Sequence, residues 1–151
     1  MFTPQALNSE LTTDPKGVGY ATPLAATNDN AVAALLNATT GPGAATITIP
    51  SLTHDEFATL IAPVVMAIGS ASAALQAQWT PMLNLISGVN VFQTTPQNMG
   101  MLNALSSDFP TQLPASAITA ATTRIGSRAE VLWGAGTVIQ WQDVAKAMGR
   151  L

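Results

Sequence analysis

The single histidine, His54, stands beside two carboxylates, Asp55 and Glu56. An imidazole oriented by a carboxylate is the commonest general base. Here the three residues are consecutive, and neighbours on a helix point in different directions. Thr53 and Glu56 have the spacing of a capping box ahead of an apolar run. Acids in a first helical turn are stabilised by the helix dipole. Helix initiation therefore accounts for the cluster without catalysis.

The remaining residues offer less chemistry. There is no cysteine, which excludes thiol nucleophiles, disulfides and thiolate metal sites. One histidine excludes any site that needs two imidazoles from one chain. The 8 acids are scattered, and glycoside chemistry needs two that converge across a cleft. Gly17-Val18-Gly19 follows a proline turn rather than a strand, and no Gly-Lys-Ser/Thr sequence is present, so no phosphate loop is expected. The expectation is a protein that is not an enzyme, with no catalytic, cofactor-binding or metal-binding residues and no cofactor.

Contact with other protein is better supported. Trp79, Trp133 and Trp141 are the large anchors, and tryptophan serves cores and interface hot spots alike. Ala45-Thr46-Ile47-Thr48-Ile49-Pro50 alternates with a period of two, and its closing proline limits it to an edge. Such a strand closes a small internal hairpin or adds to a neighbour's sheet edge. Ile47, Ile49, Trp79, Trp133 and Trp141 are accordingly the interface candidates. On the neighbour reading, aspartate at 47 and 49 releases the subunit and leaves its helices folded.

Charge points the same way. Charged residues are 9% of the 151, against roughly 25% in an average domain, while apolar residues are 48%. No residue from Phe57 to Ser107 is charged. An isolated domain keeps a charged surface to stay dispersed, so a surface of Thr, Ser, Asn, Gln and Ala suggests burial against other protein. Contacts of that kind rest on apolar area and withstand high salt.

Two other partners are weighed against this. Phe57 to Leu75 is long enough to be tested as a membrane span, yet Pro63, Gly69, Ser70 and Ser72 interrupt it and no Lys or Arg flanks it. A helical core segment reads the same, and membrane contact is not expected. Ser127 to Met148 has the outline of a helix-turn-helix with Arg124, Arg128, Lys146 and Arg150 nearby. A sequence pI of 4.7 and the acid Asp143 on the second helix argue against nucleic acid. Met1-Phe2-Thr3-Pro4 has no basic n-region, so no leader is expected.

The elements that position these residues are marked by capping and turn signals. Thr-Pro pairs open helices at Pro4 to Leu11, Pro81 to Ile86 and Pro96 to Leu105. In the second of these, Met82, Leu85 and Ile86 share one face. Asp14-Pro15-Lys16-Gly17 is a turn. Asn28 or Asp29 caps a helix to Asn37, and Thr39 to Gly43, Thr-Thr-Gly-Pro-Gly, ends it. The run from Phe57 is helical, with Pro63 kinking or dividing it and Gln78 as its furthest extent. Val89 to Phe92 is a short extended link, and Ala115 to Ile125 is helical. Ser127 and Glu130 form a second capping box, Thr137 to Ile139 is extended, and Gln142 to Met148 closes the chain as a helix. The fold class expected is all-α. It is a compact bundle of about six or seven short helices with one or two minor extended segments. Residues 1–151 form a single helical domain, with 39–43 as the candidate flexible joint.

Leu7 to Tyr20, with its Asp14-Pro15-Lys16-Gly17-Val18-Gly19-Tyr20 turn, resembles the start of a class of small proteins from the structural modules of tailed bacteriophages. The capped helix Asn28 to Asn37 is similar to the same class. So is the close, Ser127-Arg128-Ala129-Glu130 followed by Val138 and Asp143-Val144-Ala145-Lys146-Ala147. The matches cover about a third of the chain, and Gly41 to Thr123 matches none. The resemblance implies a non-enzymatic virion subunit, made in the host cytoplasm, whose partners are other virion proteins and copies of itself. The place expected is the head–tail junction or tail, as an adaptor or accessory protein. A capsid-surface decoration protein is the alternative, then a small membrane-active phage protein, then a regulator acting at a DNA site.

Overall fold

The computed structural model describes Phe2 to Leu151, and within these every side chain except those of 85–87. Leu85 and Ile86, expected to line up with Met82, therefore lie outside the described side chains. Among the described residues the chain is mostly helical and also carries two two-stranded sheets. It divides into two compact units. The first joins residues 1–47 to 125–151, and the second is the continuous segment 48–124. The chain passes between them twice, once inside strand β1 (Ala45–Thr48) and once inside strand β4 (Thr123–Gly126), and these two strands pair. Residues 39–43 lie within the first unit.

The first unit is built from α1 (Pro4–Thr13), α2 (Ala21–Ala25), α3 (Asp29–Asn37), α8 (Arg128–Trp133) and α9 (Trp141–Ala147). Thr3 and Asn28 cap α1 and α3 by accepting from the amides of Ala6 and Ala31. α9 packs on both α1 and α3, and α8 packs on α3. Leu7, Leu11, Val32, Leu36, Ala129 and Val144 fill the centre. α2 carries no side-chain cap, which is why it is not visible as a helix in the sequence.

The second unit contains α4 (His54–Ile68), α5 (Ala73–Ser87), α6 (Pro96–Asp108) and α7 (Ala115–Thr122). Strands β2 (Ser51–Thr53) and β3 (Val91–Gln93) pair antiparallel, with Leu52 opposite Phe92. α4 packs on α5 and α7, and α6 packs on α7. Phe57 stacks on Phe92 at 4.2 Å between ring centroids, at the centre of a core with Ile61, Val64, Leu102 and Leu113.

Several expectations change. The class is not strictly all-α, because residues 45–48, 51–53, 91–93 and 123–126 form paired strands. Helix α7 stops at Thr122, and Thr123-Arg124-Ile125-Gly126 turns into β4, since β-branched residues favour the ladder with β1. Pro81 does not open a helix but sits inside α5, which begins at Ala73. Thr137 to Ile139 forms no strand. Phe57 to Leu75 is split between α4 and α5 at Gly69 to Ser72, and α4 continues through Pro63. Among the described residues no helix is long and apolar enough to cross a membrane.

Ile47 is half-buried and lies over Gly126. A Cβ on Gly126 would sit 2.6 Å from Ile47 Cδ1 and 2.8 Å from its Cγ1. Gly126→Ala is therefore expected to destabilise the chain by about 1–3 kcal/mol through overpacking. In an Ile47→Val background, which removes Cδ1, the same change should cost less. Denaturant unfolding of the four proteins of this cycle checks it, and additive losses would contradict the contact.

Candidate functional site

The His54 cluster folds as a helix start. Thr53 Oγ1 accepts from the amide of Glu56, and the Glu56 carboxylate accepts from the amide and the hydroxyl of Thr53 at 2.8 Å each. Those two bonds hold the Glu56 carboxyl below its ordinary value. His54 Nδ1 lies 3.0 Å from the carbonyl of Val89, which ties the start of α4 to the approach of β3. All three residues are exposed, and His54 does not line the nearby groove.

That groove has a volume of about 700 Å³ and lies between α4 and α7. Leu52, Leu60 and three alanines of α7, Ala117, Ala120 and Ala121, make it largely apolar. Asp55 and Glu56 border it at the N-terminal end of α4, and Thr59 lies one turn on. It brings together two carboxylates, but no nucleophile, base or second charge sign faces them across it. No group of three or more metal-ligating side chains occurs among the described residues.

The interface candidates fall in different surroundings. Trp79 is a core residue, 3% exposed, and its Nε1 donates to Asp108 Oδ2 at 2.7 Å. Trp133 is half-buried and meets Phe2 edge-on at 5.3 Å between centroids. Trp141 is 42% exposed, with Val138 exposed just before it. Ile49 is half-buried against the core of the second unit, and its amide donates to the carbonyl of Thr122. The strand 45–48 thus closes an internal ladder, and Ile47 and Ile49 serve the fold itself. Aspartate at 47 and 49 would injure the fold along with any contact.

A buried polar cluster, which sequence reasoning did not find, joins the two ends of the first unit. Arg128 makes a bidentate pair with Glu10: Nε to Oε1 at 2.7 Å and a second nitrogen to Oε2 at 2.8 Å. The side chains are 7% and 5% exposed. Hydrogen bonding to Glu10 raises the Arg128 guanidinium above its ordinary value. Tyr20 is fully buried beside them, with its hydroxyl donating to Glu10 Oε1 at 3.4 Å. Gly43, at the end of the Thr-Thr-Gly-Pro-Gly stretch, is buried against Arg128, where a Cβ would approach Arg128 Cβ to 2.9 Å. The one available signal was position: Glu10 falls on the apolar stripe with Leu7 and Leu11.

Other polar contacts tie the same segments. Asp14, in the left-handed conformation at φ 42°, accepts from the amides of Val18 and Gly19 at 2.7 and 2.8 Å. Asn37 pairs through both ends of its amide with the backbone of Ile139. Arg150 pairs with Asp29 at 2.6 Å. Arg128 is buried and Arg150 paired, while Lys146 on α9 is exposed, and α9 packs on α1 and on α3.

Burial is the largest influence on Tyr20, and with Glu10 beside it pushes the phenol well above its ordinary value of 10.0, against the opposing pull of Arg128. An unfolded tyrosine ionises near pH 10 while the folded one stays neutral, so stability should fall as pH rises through that range. Tyr20 is the only tyrosine, so tyrosinate absorbance reports on it alone. The folded chain is expected to show no such absorbance at pH 10, with the signal arriving together with unfolding. Half-ionisation at pH 10 in the folded state would contradict the burial.

No protein-family model, curated protein or solved structure matches this chain.

Proposed function

We propose that this chain is a non-enzymatic structural subunit of a tailed-phage virion, acting in several copies as an adaptor or accessory protein at the head–tail junction or in the tail. The observation that carries the reading is the composition of the first unit. The segments that resemble phage structural proteins, 7–20, 28–37, 127–130, 138 and 143–147, are separated by up to the whole second unit in sequence, yet all fall in that unit. Residues of these segments hold one another: Glu10 to Arg128, and Asp14 to Val18 and Gly19. The resemblance therefore follows a folding unit rather than scattered words. The second unit, 48–124, is the part with no such likeness and suits a role particular to this protein.

Low charge adds to this reading. The second unit carries only Asp55, Glu56, Asp108 and Arg124 as charged residues, and exposes Val65, Met66, Val89 and Val91. Surfaces of that kind are covered in assemblies. Gradient sedimentation of particles from the producing host tests the proposal: the chain should travel with intact particles and stay with them through a wash in about 1 M salt. Its absence from the particle fraction would overturn the proposal.

A further inference from the structure

The groove between α4 and α7 combines features that the virion reading does not use. α7 has no charged residue: Ile118 and Thr122 enter the core, Ala117, Ala120 and Ala121 face the groove, and Ser116 and Thr119 are exposed. The two long walls, α4 and α7, are helices that offer an added strand no edge, and β2 contributes only Leu52 to the lining. Alanine side chains instead let another helix approach to an axial separation of about 8–10 Å. Charge is confined to one end. Two of the second unit's four charged residues, Asp55 and Glu56, border the groove at the start of α4, and Asp108 is engaged by Trp79 and Gln78. Glu56 is held by Thr53, whereas Asp55 has no hydrogen-bond or ion-pair partner among the described residues.

We infer that this groove docks a helix of another protein, apolar along one face and carrying lysine or arginine at the end that meets Asp55 and Glu56. Apolar contact with Leu60 and the alanines supplies the area, and the carboxylates fix the direction in which the helix lies. The inference rests on the groove alone and stands or falls separately from the virion reading.

The test uses the full chain and a labelled synthetic helical peptide of about 18 residues, long enough to hold a helix. One face is Ala and Leu, and two lysines stand at one end; a twin peptide carries glutamates there. Fluorescence anisotropy should show the lysine peptide binding at least about tenfold more tightly than its twin. Asp55→Lys should reverse that order. Ala120→Trp, at an exposed position, should fill the groove and abolish binding of both peptides with an unchanged melting temperature. Absence of binding by either peptide, equal binding of both, or binding that survives Ala120→Trp would overturn the inference. Self-association of the chain that Ala120→Trp abolishes would give the groove to a second copy and overturn it as well.

Discussion

Arg128→Ala is expected to destabilise the protein by about 3–5 kcal/mol, because it leaves the Glu10 carboxylate buried without its cation. The pair is almost wholly enclosed and bidentate, so no water replaces the guanidinium without reopening the core. Glu10→Ala should cost a similar amount for the opposite reason. Replacing both at once, Glu10→Leu with Arg128→Met, removes both charges and should recover most of the loss. Chemical denaturation of the three variants measures this. Two single losses that simply add in the double variant would show that the residues do not act as a pair.

Trp79→Ala should have the second large effect, about 3–5 kcal/mol, through the cavity left in the core of the second unit and the lost bond to Asp108. Trp141→Ala is the matched control. That side chain is 42% exposed, and its loss should change stability by no more than about 0.5 kcal/mol. If Trp141→Ala were the more damaging change, the placement of the two indoles would be wrong.

The local signals in the sequence translated well into local structure. Thr53 with Glu56 and Ser127 with Glu130 both form the capping boxes their spacing predicts. Thr3, Asn28 and Thr95 cap their helices, and Gly134 ends α8 at φ 107°. These features depend on residues within one turn of each other. The misses depend on distant ones. β4 exists because β1, some 75 residues earlier, supplies its partner, and Thr123 to Gly126 alone reads as a continued helix. Pro81 looks like a helix start because the sequence does not reveal that α5 is already under way. The Glu10–Arg128 pair spans 118 positions, and each residue alone reads as ordinary surface charge. The groove was equally hidden: Asp55 and Glu56 were legible as a helix start, but the three alanines of α7 that adjoin them were not.

The amino-acid inventory limits what reactions a chain supports, whereas an interface is made of ordinary residues whose exposure only the fold decides. Ile47, Ile49 and Trp79 turned inward, and Trp141 with Val138 turned outward.

The copy number of this chain in purified virions is the most direct test of its proposed membership of a symmetric particle. Quantitative mass spectrometry against the major capsid protein should return about six or twelve copies per particle, the stoichiometry of a ring on the head–tail axis. Copies on the order of hundreds would place the chain on the shell and contradict the junction or tail assignment, and a particle free of the chain would contradict the structural role altogether.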